Sequence, residues 1–193
     1  MTIIRCGWCS DDPIYTDYHD HEWGKPLHDE KTLFEMLCLE GQQAGLSWIT
    51  VLKKRQAYHE HFFQFSIEDI AKLSDQDLQN KLQDASLIRH IGKLNAIRSN
   101  AQAWINLKNH GVNVTEWLWS FAQQPILNND VPQYQLAPAQ TIESQTMSKA
   151  LKKSGFKFIG PTICYAFMQA VGMVNDHENH CHFKTPVEPS NKS

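Results

Sequence analysis

Three observations predict an all-α fold. From Asp29 onward apolar residues recur every three or four positions, as they would on a buried helix face. These runs open on Ser or Asp and close on glycines, the residue types that cap helices. No convincing period-two strand appears. The chain has 193 residues and is 41% hydrophobic, enough for a real core as one domain or two small lobes.

The first stretch, residues 5 to 24, is crowded with rings and metal-ligand types: Cys6, Trp8, Cys9, Tyr15, Tyr18, His19, His21 and Trp23. Asp12-Pro13 reads as a turn, and Gly7 and Gly24 punctuate the segment. It is too short to bury its own rings, so another part of the chain must cover them or a flat ligand must sit among them.

Leu33, Phe34, Met36, Leu37 and Leu39 mark the buried face of one helix, and Trp48, Val51, Leu52, Tyr58 and Phe62 that of the next. The stretch from Leu39 to Trp48 joins them, with Leu46 at its tip and Ser47 as the N-cap of the second helix. Glu40 closes the first helix on its apolar side, where an unpaired carboxylate is costly. A locally capped or salt-bridged glutamate is the ordinary alternative.

Ser66-Ile67-Glu68-Asp69 and Ser74-Asp75-Gln76-Asp77 read as capping boxes with Asp in place of Glu, opening two short helices. A longer helix starts near His90, with Leu94, Ile97, Ala101 and Trp104 on one face and Gly111 just past its end; a short one follows around Thr115 to Phe121. Residues 123 to 140, with Pro125, Pro132 and Pro138, have no helical period and read as a flexible surface excursion.

Helix resumes from Gln145 to Lys153 and stops at Ser154-Gly155; the next begins at Gly160-Pro161, with Pro at its first position. Between them Phe156 to Ile159 forms a tight hairpin, whose flanking glycines and following helix N-terminus suit a phosphate. Thr162 to Val171 is apolar enough to be a central helix, with Cys164 in the core. The tail from Lys184 to Ser193, with Pro186 and Pro189, reads as mobile.

The net charge of -3 gives no global support for a nucleic-acid partner. Locally, Lys149, Lys152, Lys153 and Lys157 lie in a window free of acids, and Lys53-Lys54-Arg55 and Arg89, Lys93, Arg98 form two more basic groups. Converging, they would make a phosphate-binding face; apart, they are solvated helix faces. No membrane-length apolar run and no signal peptide are visible, and the five cysteines sit beside histidines. A reducing, cytoplasmic compartment follows, with metal ligation or free thiols rather than disulfides.

His177 and Cys181 are spaced to reach one metal ion, and Cys6 and His19 supply a second thiolate and imidazole. Such a closed Cys2His2 set suits structural zinc and would tie the two ends of the chain together. Cys9, His21, His180 and His182 are competing ligands. Three functions are open on these grounds: an enzyme with Glu40 and the aromatics around one pocket, a zinc-stabilised DNA-binding module without a pocket, and a zinc hydrolase with an open metal position.

Several long motifs in order then narrow the choice: Arg5-Cys6-Gly7-Trp8, Tyr15 to Asp20, Glu22-Trp23-Gly24, Leu39 to Arg55, Gly155 to Gly160, and Val174-Asn175-Asp176-His177. Together they resemble the 3-methyladenine DNA glycosylase I family from about residue 5 to 181. The resemblance implies an all-α helix-hairpin-helix DNA glycosylase fold, with one catalytic domain over residues 1 to 183 and zinc on Cys6, His19, His177 and Cys181. It implies a base pocket of Trp8, Tyr15, Tyr18, Trp23, Glu40 and Trp48, with Glu40 also the catalytic candidate. Gly45 and Leu46 match the DNA-intercalating loop, and Gly155, Lys157 and Gly160 the hairpin on the DNA backbone. The implied activity is monofunctional release of free 3-methyladenine from double-stranded alkylated DNA; an enzyme acting on single lesions needs no partner subunit, so a monomer in the cytoplasm is expected.

Overall fold

The computed structural model describes residues 3–124 and 126–184, and the chain is mostly helical. Its first helix, α1 (Pro13–His21), arises where the sequence reads as a turn. Asp12 is the N-cap, accepting a hydrogen bond from Ile14 N–H, and Pro13 fills the first helical position, where the missing N–H does no harm. The Asp-Pro pair thus opens a helix.

The centre of the molecule is α2 (Glu30–Gln42), capped by Asp29, whose carboxylate accepts from Thr32 N–H at 2.9 Å. Every residue from Leu33 to Gln42 is buried, so this helix is covered on all sides. It runs past Glu40, which puts the carboxylate in its last turn rather than in the connection. The connection proper is Gln43 to Ser47. At the end of α2, Lys93 is only 5% exposed and donates to the carbonyls of Gln42 and Ala44, both at 2.7 Å. A cation on two orphan carbonyls is a strong C-terminal cap.

The next apolar run does not form one helix. It breaks into α3 (Trp48–Leu52), α4 (Arg55–Tyr58) and a π-helical turn, His59–Phe63. Next come α5 (Ile67–Ala71), α6 (Asp75–Leu82) and α7 (Ile91–Asn109). Ser74 and Asp77 form a full reciprocal capping box; at Ser66 only the side-chain half is made. Helix α7 packs on α5, α6 and α2, and α8 (Val114–Trp119) packs beside α2.

Much of the segment from 126 to 137 is tied down. Strand β1 (Leu127–Asn128) pairs in parallel with β2 (Val174–Asn175), and a single 3-10 turn spans Tyr134–Leu136. Val131 and Asn179 exchange two hydrogen bonds, Val131 N–H to the Asn179 side chain and Asn179 N–H to the Val131 carbonyl. The sequence reads as an excursion here because the bonds are made by backbone and amides, which leave no periodicity. Pro125 lies outside the described residues.

Helices α9 (Ile142–Lys153) and α10 (Pro161–Ala170) pack on each other, and α10 also packs on α2. In the hairpin between them Gly155 has φ +99° and Phe158 φ 54°, whereas Gly160 is ordinary at φ -63°. Phe158 lies over α2 so closely that a Cβ on Gly41 would sit 3.2 Å from its carbonyl oxygen. The N-terminal segment is bound to the end of α10 through Gly24 N–H to the Ala170 carbonyl and Leu27 N–H to the Val171 carbonyl. Lys184, expected in a mobile tail, is anchored to the carbonyls of Asn129 and His177. The rest of that tail lies outside the described residues.

Candidate active site

A cavity of about 270 Å3 opens between α1, the end of α2, the start of α3, α10 and the 3-10 turn; Trp8, Tyr15, Tyr18, Trp23, Glu40 and Trp48 all line it. These are the six residues singled out from the sequence for one pocket. The volume suits a flat heterocycle rather than a large ligand.

Glu40 is 3% exposed, and its Oε2 has no hydrogen-bond partner. Burial without a countercharge pushes its carboxyl up to about 8. The Trp48 indole N–H is likewise buried and unpartnered. Buried polar groups are nearly always satisfied, so an acceptor and a donor left open in one cavity mark the place of a polar ligand. Gln42, two residues along α2, shows the contrast: its amide is occupied by the Lys93 carbonyl and the Tyr58 hydroxyl.

The aromatic walls support one another. Trp8 meets Tyr15 at 5.1 Å and Trp23 at 4.9 Å between ring centroids, and Tyr18 meets Trp48 at 5.4 Å. Burial holds the phenols of Tyr15 and Tyr18 neutral, that of Tyr15 pushed up to about 12. Their faces are therefore electron-rich but uncharged, a lining that attracts a delocalised cation.

Behind these rings lie the metal-ligand types. Cys6 Sγ, a ring nitrogen of His19 and Cys181 Sγ come within 4.8 Å of one another, all buried. His19 turns Nδ1 to Asp20 at 2.8 Å, and Arg5 clamps that carboxylate from the other side, which leaves Nε2 toward the sulfurs. The His177 ring lies 5.4 Å from that of His19 and is held through Nδ1 by Asn175, while its Nε2 is buried with no partner. Burial lowers His177 to about 4, so it is a neutral imidazole with a free lone pair. The hydrogen bond from Cys6 holds the Cys181 thiol below its ordinary value. The two sulfurs and the His19 imidazole are close enough to share one divalent metal, with the His177 ring next to His19 but outside that group of three. Of the competing ligands, Cys9 faces the carbonyls of Ser10 and Tyr15, His21 pairs with Asp17, His180 with Glu178, and His182 with the Ile4 backbone.

At the cavity rim Gly45, at φ +75°, turns the chain so that Leu46 stands 40% exposed. Of the three basic groups, two are used internally. Lys53 pairs with Asp12, Lys54 bonds the Ala85 and Ser86 carbonyls, and Arg55 pairs with Glu22 and Glu35. Lys93 caps α2 and Arg98 pairs with Asp75. Carboxylates and carbonyls within the fold take most of these cations, and Arg89 is exposed. Lys149, Lys152, Lys153 and Lys157 are exposed around the hairpin, although the Lys157 backbone is bonded both ways to Asn100. The N-terminus of α10 carries no side-chain cap.

The sequence does not single out Tyr134, Ala137, Pro138, Gln43, Ala166 and Gln169 as lining residues. No local signal marks them, because three come from the unpatterned 123–140 segment. Asp176 also lines the cavity, and accepts from Asn129, Tyr165 and Gln169 at 2.6–2.7 Å. Its carboxylate is held in the wall.

A methyladenine glycosylase family model matches residues 8–185. A DNA-3-methyladenine glycosylase of Haemophilus influenzae is 52% identical, with 94% of this chain and 98% of the relative covered. DNA-3-methyladenine glycosylase 1 of Escherichia coli is 51% identical, with 92% and 95% covered. A crystal structure of a 3-methyladenine DNA glycosylase I superposes with a TM-score of 0.92 at 49% identity, covering 94% of this chain and all of the other.

Proposed function

The chain belongs to the methyladenine glycosylase family, and from this we infer that it releases 3-methyladenine from alkylated DNA by hydrolysing the N-glycosidic bond, leaving an abasic site without a lyase step. The observation that carries the reading is Glu40, buried with an open oxygen in an aromatic cavity. A DNA-binding module has no use for that arrangement.

Methylation at N3 gives adenine a delocalised positive charge. Each good ring contact with a cation contributes about 0.5–2 kcal/mol, so Trp8, Trp48, Tyr15 and Tyr18 favour the lesion over abundant neutral adenine. Glu40 accepts from the exocyclic amine or a ring N–H of the flipped base, and its charge form pairs with the cation. The base departs with the electrons of the glycosidic bond, becoming neutral; water adds to the sugar C1′ and gives up a proton. A good leaving group needs little acid catalysis, and Glu40 near the sugar stabilises the oxocarbenium character.

Flipping costs a few kcal/mol, least at a damaged base. Leu46, exposed on its glycine turn, fills the vacated stack. The helix-hairpin-helix unit is α9, Gly155 to Gly160, and α10, whose uncapped N-terminus and surrounding lysines receive a phosphate of the duplex. Zinc on Cys6, His19, His177 and Cys181 is structural, closing the N-terminal segment onto the C-terminal one. The enzyme works as a cytoplasmic monomer with residues 1 to 183 as one catalytic domain.

The test is release of free base from methylated duplex DNA by the zinc-loaded protein and its Glu40→Gln and Trp48→Ala variants. Release of 3-methyladenine, at least tenfold slower in both folded variants, is expected. An intact protein that releases none would overturn the reading.

A further inference from the structure

The 3-10 turn Tyr134–Leu136 brings an additional ring to the pocket. Tyr134 lines the cavity with Glu40 and Trp48, yet comes from a segment far from them in sequence, and it is 40% exposed. Its ring is held over the backbone of Gly7: a Cβ there would lie 3.2 Å from Tyr134 Cδ1. A side chain there would press on the ring.

Glu178 fixes both partners. One carboxylate oxygen accepts from Tyr134 N–H at 2.6 Å and the other from Gly7 N–H at 2.7 Å, and Glu178 is buried. Charge-assisted bonds of this length are strong. The turn is held further at Val131 and Asn129. An exposed tyrosine on a freely moving loop would have little reason to be braced in this way. Ala137 and Pro138 complete that wall.

Resting on the glycosylase reading, we propose that Tyr134 is a specificity-determining residue whose ring closes the mouth of the pocket on the cationic base, with Glu178 positioning it through the backbone. The ring face adds to the cation preference of the deeper rings. The interaction needs the ring and not the hydroxyl.

The experiment is binding of free 3-methyladenine at a pH where it is protonated, and of adenine at a pH where it is neutral, read by tryptophan fluorescence. Each is measured on wild type, Tyr134→Phe and Tyr134→Ala, alongside base release from methylated DNA. At a partly exposed ring a single cation contact is worth a factor of about two to five in affinity. Tyr134→Ala is expected to lose that for the cation with less than a twofold change for adenine, and Tyr134→Phe to stay within twofold of wild type. Unchanged cation binding by a folded Tyr134→Ala would overturn the proposal, as would a loss confined to KM for DNA. Failure of the wild type to release 3-methyladenine would instead overturn the glycosylase reading.

Discussion

A carboxylate without a partner in a buried wall has a measurable consequence at Glu40. Its carboxyl is raised from 4.5 to about 8 by burial alone, so the folded protein holds this proton more tightly than the unfolded chain does. Stability from this group is fully present below the unfolded value near 4.5, and it falls as pH rises toward about 8. Glu40→Gln removes the cost of ionising in place. Its melting temperature should match wild type near pH 4.5 and exceed it by several degrees at pH 8 and above; equal melting temperatures across the range would show that water or a counterion relieves the charge. The same group predicts the opposite trend for function. The ionised form complements the cationic base, so kcat/KM of wild type should climb with pH toward about 8, and Glu40→Gln should be low and flat. The aromatic composition and the odd position of Glu40 are legible in the sequence because a helical period exposes a misplaced carboxylate. Its open oxygen is not, since that depends on what every neighbouring element fails to offer.

Among elements, the end of α2 matters most, because it delivers Glu40 to the pocket and, three residues after Gln42, the turn that presents Leu46. Lys93 joins the two by capping the Gln42 and Ala44 carbonyls. Lys93→Met keeps the stem and removes the donors, leaving one buried and one partly buried carbonyl short of a partner. The cost should be about 2–4 kcal/mol, visible in urea unfolding. Because the pocket rings are untouched, free 3-methyladenine should bind within twofold of wild type, while kcat/KM on duplex DNA falls at least fivefold as the Leu46 turn loosens. An equal loss in both would mean that Lys93 supports the whole of α2. Sequence reading places Lys93 in a basic cluster and misses this cap, since a cation's partner is set by tertiary approach. Local signals fare better. Ser74 with Asp77, His90 before α7 and Pro161 at the start of α10 are all visible in the chain, because capping chemistry is confined to a few adjacent residues. The π-helical turn after Tyr58 and the anchoring of residues 126–136 leave no comparable mark.

For the molecule as a whole, the question is what keeps residues 5 to 24 folded against the rest. Their rings are the pocket wall, and they in turn lean on two buried histidines: Trp8 on His19 at 5.1 Å and Trp23 on His177 at 4.6 Å. The segment is tied as well by Gly7 N–H to the Glu178 carboxylate, by the Asp12–Lys53 and Glu22–Arg55 ion pairs, and by Gly24 N–H to the Ala170 carbonyl. The metal proposed at Cys6, His19, His177 and Cys181 would couple the adjoining cluster to base recognition, because losing it would free the wall of the pocket. Chelation of the purified protein should release about one zinc per chain, lower the melting temperature by several degrees or more, and open residues 5 to 24 to protease. Free-base binding should fail with it, and cobalt should restore both with the spectrum of a tetrahedral site. Gly24→Ala attacks the same site with all ligands intact. At φ +76° its new methyl would meet His177 Cε1 at 2.6 Å, displacing the imidazole, so this variant should bind metal more weakly and melt earlier. Purified protein without metal, and indifferent to chelator, would show that packing and the Asp20 and Asn175 hydrogen bonds suffice to hold these side chains, and the orphaned Nε2 of His177 would then need another partner.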